Sequence, residues 1–264
     1  GNLGDLSPRA AQVLSEVDFI AAEDTRVTMK LLSHLGIKKP MISYYEHNLR
    51  EKGEIILSRL LGGESCAIVT DAGMPCISDP GEPLVQLCHQ LGVPMEVVPG
   101  PSAAIAALAI SGQHTSRFAF EGFLSVNRNQ RAAHLEQLRD EQRTMIFYEA
   151  PHKLCRTLAD MSAVFGGDRS LSLCRELTKI HEEVQLTTFA QAIAYYENTP
   201  PRGEYVLVVA GAVPQKAESI TLEEAVEQVR RCVADGQKLT QACKTVAAET
   251  GYRKSELYDA VQES

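Results

Sequence analysis

A chain of 264 residues, 44% hydrophobic and 23% charged, has the balance of a globular protein and the length for two or three domains. Its formal net charge of −8 argues against holding nucleic acid by bulk electrostatics, while leaving room for a local basic face. No apolar run approaches the roughly 18 residues of a membrane helix and no secretory signal is visible, so a cytoplasmic protein with no membrane partner is expected. Cysteines at 66, 76, 88, 155, 174, 232 and 243 show neither CxxC nor metal-ligand spacing. They read as small buried hydrophobes of a reducing compartment, with no metal bound.

The chain opens Gly1-Asn2-Leu3-Gly4-Asp5-Leu6 without methionine, and reads as a loop whose preceding strand is absent. Ser7-Pro8 is an N-cap with proline at the first helical position, followed by the apolar stripe Val13, Leu14, Val17. Phe19–Ala22 is a short strand delivering Glu23-Asp24-Thr25-Arg26 to its carboxyl end. Leu31, Leu32 and Leu35 mark the next helix, stopped by Gly36, and Met41–Tyr45 a second strand. Asn48 with Glu51 has the capping-box pattern before Ile55, Ile56, Leu60 and Leu61. Strands at 66–69 and 95–98, a helix at 82–91 and another capped by Ser102 complete an alternation that predicts a mostly parallel sheet. A second series follows: strands at 118–123, 144–148, 170–174, 184–187 and 205–209, with helices at 129–140, 152–165 and 188–197. After Ala212-Val213-Pro214 the pattern turns wholly helical, 222–233, 239–250 and 255–261, with Gly251 between the last two. The fold class expected is α/β: two α/β domains, 1–112 and 113–213, and a small helical domain, 214–264.

The most informative stretch is Thr70-Asp71-Ala72-Gly73-Met74-Pro75-Cys76-Ile77-Ser78-Asp79-Pro80-Gly81. A buried strand opening into a Gly, Pro and Asp loop is where open α/β sheets bind ligands. With no Walker A lysine and no GxGxxG it lacks a phosphate cradle, and its carboxylates suit a ribose, an amine or a sulfonium. Val98-Pro99-Gly100-Pro101-Ser102-Ala103-Ala104 is a second strand-loop-helix element, and two such loops on neighbouring strands predict a shared crevice. Charged groups gather at other strand ends: Asp24 and Arg26; Tyr148, Glu149, His152 and Lys153; Arg175 and Lys179; and Arg202-Gly203-Glu204-Tyr205. Tyr148 is placed to stack on a base or an adenine, Glu149 and His152 to accept protons, and the cations to meet phosphates.

Together these motifs resemble the tetrapyrrole-methylase class of S-adenosylmethionine-dependent methyltransferases, and within it the ribosomal RNA branch that 2′-O-methylates a cytidine of 16S rRNA. The resemblance rests on Gly1–Asp5 with Ser7, Arg9 and Ala10, on Ala22–Arg26, Asp71–Pro75, Ser78–Gly81, Pro99–Ala103, Phe147–His152 and Arg175–Lys179. The C-terminal helices resemble that branch's helix-turn-helix extension. The resemblance implies S-adenosylmethionine folded in a cleft between two α/β domains, and a homodimer. Cofactor contacts would come from Leu3, Asp71, Ala72, Gly73, Met74, Ile77, Ser102, Ala103, Tyr148 and Glu204. It implies 16S rRNA or the small ribosomal subunit as partner, with Arg26, Arg175, Lys179, Lys238, Arg253 and Lys254 on the RNA.

A ribose hydroxyl is a poor nucleophile, so a base and a cation should assist it. Asp24, Glu149 or His152 would accept the proton while Arg26 holds the phosphate or hydroxyl. Two other functions are compatible with these motifs: methylation of a tetrapyrrole or other small molecule, and a ligand-sensing regulator that binds DNA through its helices. Charged loops and the extra helical domain favour RNA over the first. Seven Lys/Arg against nine Asp/Glu in 215–264 argue against the second.

Overall fold

The computed structural model describes residues 2–213 and 221–263, which divide into two compact units, 1–212 and 213–264. Gly1 and Pro214, both named in the sequence reading, lie outside the described residues.

The first unit begins with a short 3₁₀ turn, Leu3–Asp5, then α1 (Pro8–Glu16), capped by the Ser7 hydroxyl accepting from the Ala10 amide. β1 (Phe19–Ala22), α2 (Thr25–His34), β2 (Met41–Ser43), α3 (Leu49–Leu61), β3 (Cys66–Val69) and α4 (Glu82–Leu91) follow. The three strands form a parallel sheet in the order β2-β1-β3, with Ala22 opposite both Ser43 and Val69. Strand alternation sorts β1 between two cores. Phe19 and Ala21 pack with Ile56 and Leu84 on the α3/α4 side, and Ile20 and Ala22 with Leu14 and Leu32 on the α1/α2 side.

α5 (Ala103–Ile110) leads to β4 (Phe118–Phe123), α6 (Arg128–Gln137), β5 (Thr144–Glu149), α7 (Pro151–Phe165), β6 (Ser170–Arg175), β7 (Glu183–Thr188), α8 (Phe189–Asn198) and β8 (Tyr205–Val209). Their sheet runs β4-β5-β8-β6-β7. It is buried on one face by α6, α7 and α8 through Leu135, Leu154, Leu158 and Phe189. On the other face Ala104, Ala107 and Leu108 of α5 pack on Ile146, Val206 and Val208.

Several local expectations need correction. The second sheet is mixed: β4 and β5 are parallel, but β8 pairs antiparallel with both β5 and β6, and β6 with β7. The short link 176–182 closes β6 and β7 into a hairpin, for which no crossover is needed. Residues 95–98 form no strand: they do not pair with β3, which is left as the edge of its sheet, and the Val97 carbonyl accepts from Arg9 Nη2 at 2.7 Å. Asn48 makes no capping box; its side chain accepts from the Tyr45 amide (2.9 Å) and donates to the Ser43 carbonyl (3.0 Å), folding the turn after β2. Ser102 occupies the N-cap of α5 without a side-chain cap bond. The cysteines are all free, but only Cys88, Cys174 and Cys243 are buried, and Cys155 is exposed on α7.

The second unit holds α9 (Leu222–Ala234), α10 (Leu239–Thr250) and α11 (Lys254–Glu263). Thr221 and Glu224 form a capping box at the start of α9, and Gly251 ends α10 in the left-handed conformation. Ala225, Val229, Ala242, Cys243, Val246 and Leu257 make its own core. No described helix is long and apolar enough to cross a membrane.

Candidate active site

The carboxyl ends of the parallel strands β1 and β3 lie side by side, so the residues that follow them meet. Glu23 Oε2 accepts from the Thr70 hydroxyl (2.6 Å) and the Asp71 amide (3.2 Å). Asp24 caps α2, accepting from the Arg26 amide at 2.8 Å, and also receives Arg26 Nε (3.0 Å) and Nη2 (2.6 Å). This fork holds the Asp24 carboxyl down at about 2. The Arg26 side chain is nevertheless 87% exposed. Asp71 and Asp79 shift the other way. Partial burial, and then the Glu23 carboxylate, push Asp71 up and Asp79 to about 6. Four carboxylates thus surround one loop, with Arg26 as the cation among them.

The loop itself is bent tightly. Cys76 and Ser78 adopt positive φ (68° and 59°), a conformation that costs non-glycine residues about 1–3 kcal/mol and gathers at functional sites. Gly73, at φ +81°, passes so near the next loop that a Cβ there would stand 3.2 Å from the Pro101 carbonyl oxygen. The Gly100 amide donates to Met74 Sδ at 3.0 Å, tying the two loops together. The second sheet closes in from its own edge. A bulge in β4 between Phe120 and Gly122 brings Gly122 (φ +64°) against the loop, where a Cβ would meet Ser78 Oγ at 3.2 Å.

Tyr148, at the end of β5, bridges the two halves: its hydroxyl accepts from the Ala104 amide in the first turn of α5 at 3.1 Å. Burial raises its phenol. Its ring packs edge-on against Phe120 and Phe123, with centroids 5.1 and 5.4 Å away. Antiparallel pairing of β6 and β8 sets Arg175 opposite Tyr205, beside the same edge. There Glu176 Oε1 accepts from Lys179 Nζ (2.9 Å) and the Glu204 amide (3.0 Å), and Glu204 Oε2 from Lys179 Nζ (3.0 Å). Asn2 Nδ2 donates to the Thr178 carbonyl at 3.2 Å, so the opening loop that carries the exposed Leu3 also reaches this edge.

The structure therefore brings together Asp71–Met74, Ser102, Ala103 and Tyr148, with exposed Ile77 on the same loop. Glu149, next to Tyr148 on β5, faces the α7 side. It is buried, accepting from the Ala150 amide (2.8 Å) and the Thr157 hydroxyl (2.6 Å). His152 is exposed on the first turn of α7. Arg175 is paired with Glu183 at 2.7 Å. Lys238, Arg253 and Lys254 are exposed on the helical unit. Glu23 and Asp79, which the sequence places at the strand end and in the loop without an individual role, join the site here. Their signal was position alone, one residue past β1 and inside the Asp71–Gly81 loop.

Strands that deliver glycine-, proline- and carboxylate-bearing loops to one crevice define an α/β enzyme with a site for a small polar, cationic ligand. Residues 1–193 match the Tetrapyrrole (Corrin/Porphyrin) Methylases. The chain is 46% identical over 258 residues to the Ribosomal RNA small subunit methyltransferase I of Synechocystis sp., covering 98% of this chain and 92% of the relative. It is 45% identical over 261 residues to that of Pseudomonas aeruginosa, with the same coverage of 98% and 92%. Among solved structures, diphthine synthase superposes with a TM-score of 0.62 at 15% identity, covering 79% of this chain and 86% of that one, a likeness of fold. The chain belongs to the ribosomal RNA small subunit methyltransferase I family of the tetrapyrrole methylases. It is a methyltransferase that draws on S-adenosylmethionine.

Proposed function

We propose that this enzyme 2′-O-methylates a cytidine ribose of 16S rRNA in the small ribosomal subunit, acting in the cytoplasm as a homodimer. The observation that carries the reading is the near-full-length match at 46% identity, which runs past the methylase signature ending at residue 193 and takes in the helical segment. Exposed apolar side chains at Met95, Val97, Ile105 and Ile110 supply surface for a second copy. The division into 1–112, 113–213 and 214–264 is part of the same reading.

The residues present fit the methyl donor. S-adenosylmethionine supplies, when bound, a methyl group on a positively charged sulfur. The partly desolvated carboxylates of Asp71 and Asp79 favour such a cation, and the side-chain-free face of Gly73 leaves the backbone open beside Pro101. Leu3, Asp71, Ala72, Gly73, Met74, Ile77, Ser102, Ala103, Tyr148 and Glu204 would hold it.

Asp24, kept ionised by its fork, is a weak proton acceptor; its part is to aim the exposed Arg26 guanidinium at the substrate phosphate or hydroxyl. Both Glu149 oxygens are engaged by Ala150 and Thr157. Of the three acceptors considered, His152 alone has a side chain without a partner among the described residues, and we assign it the ribose proton. Arg175, Lys179, Lys238, Arg253 and Lys254 would meet the RNA backbone.

The test is transfer of a labelled methyl group from S-adenosylmethionine to unmodified small subunits. Label retained in an alkali-resistant dinucleotide is the expected result. No label in RNA, with donor binding intact, overturns the reading and returns the small-molecule methylase.

A further inference from the structure

On the face of β5 opposite Tyr148, the turn between β4 and α6 and the first turns of α7 enclose a cavity of about 60 Å³. Ser125, Arg131, Glu149, Lys153, Arg156 and Thr157 contribute to its wall. Arg131 is the unusual member. Its side chain is only 5% exposed, and it donates from Nε to Asp160 Oδ2 (2.7 Å) and from Nη1 to the Ser125 carbonyl (3.1 Å). Its buried Nη2 has no acceptor among the described residues. A buried N–H left unpaired is destabilising, the more so on a charged group, so an acceptor from outside the protein is favoured there.

The surroundings say which acceptor. Lys153 has no ion pair among the described residues. Arg156, 57% exposed, reaches Asp160 only at 3.9 Å, behind the closer Arg131. Glu149 is already bound through both oxygens, so it does not answer Arg131. Three cations against Glu149 and Asp160 leave one positive charge uncompensated. A water would satisfy Nη2 but leave the rim cations unused, whereas an anion with several oxygens can take donors from different directions.

We propose that this cavity is a phosphate subsite that grips the backbone of the RNA substrate, an inference that rests on the RNA reading above for the source of the phosphate. Its position suits that role. Glu149 follows Tyr148 along β5, and Leu124, also in the cavity wall, follows Phe123, an exposed residue whose ring packs edge-on against Tyr148. A strand presenting one nucleotide at the Tyr148 face would carry a neighbouring phosphate around the ends of β4 and β5 to Arg131. Such a grip fixes register and carries no base preference.

Because Arg131 also holds Asp160 and the β4–α6 turn, R131Q would read folding as well as binding, and the rim double variant K153A/R156A in the full chain is the main test. In a variant with wild-type unfolding and donor binding, the RNA KM should rise about tenfold with kcat within twofold. The log–log salt slope of single-stranded RNA binding should fall by about 0.7 for each phosphate that the variant no longer neutralises. Unchanged KM and salt slope overturn the subsite. If the wild type methylates no RNA, the proposed function fails, and calorimetric titration with inorganic phosphate decides the subsite separately. Phosphate bound by the wild type but not by K153A/R156A sustains it for another phosphorylated substrate; no phosphate bound by the wild type overturns it.

Discussion

Replacing Asp79 with asparagine should stabilise the enzyme at neutral pH, and the gain should vanish in acid. In the folded chain partial burial and the neighbouring Glu23 raise this carboxyl from 3.8 to about 6. Between those values the folded chain keeps a proton that the unfolded chain has released, so stability falls as pH rises through the window. At about 1.4 kcal/mol for each pH unit the full effect would be about 3 kcal/mol. The carboxyl is half open to water, and screening reduces that to about 1 kcal/mol. Urea unfolding of wild type and D79N from pH 4 to 8 should show curves that coincide near pH 4 and separate to about 1 kcal/mol above pH 7. A constant difference across the range would refute the reasoning. The same ionisation bears on function: affinity of the wild type for S-adenosylmethionine should tighten from pH 5 to 7, and that dependence should be lost in D79N.

Two other substitutions separate fold from chemistry. Tyr148→Phe removes the acceptor of the Ala104 amide (3.1 Å), at a cost of about 1 kcal/mol and a Tm lower by about 2–4 °C, with weaker donor binding by calorimetry; an unchanged Tm and donor Kd would count against the bridge. Arg26→Ala keeps the Asp24 cap on its main-chain amide, so Tm should hold while methyl transfer falls about a hundredfold or more, whereas Asp24→Ala, which removes the cap as well, should also lower Tm. Full turnover by the Arg26 variant would remove the guanidinium from the mechanism.

Much of this was legible in the chain because its signals are local. Ser7-Pro8, the apolar spacing of 13–17 and the run 66–69 each fix an element from neighbours within a few residues; the α7 core positions follow a helical spacing, and β8 is a continuous apolar run buried throughout. The loop Asp71–Gly81 announced a site by composition, since glycine, proline and carboxylate after a buried strand have few other uses. Two segments depart from their local signal. Residues 95–98 have strand-forming side chains but no neighbouring strand, and Asn48 has a capping pattern but a competing turn to hold.

Sequence alone determined the elements, their order and the loops that bear chemistry, because those depend on bonds and side-chain spacing along a short stretch of chain. Tertiary structure decided that β8 enters between β5 and β6, that the Tyr148 hydroxyl meets the amide of Ala104, and that Glu23 joins Asp71 and Asp79. These are pairings between residues remote in sequence, and the free energy that selects them comes from burying both partners at once, a quantity that neither segment carries by itself.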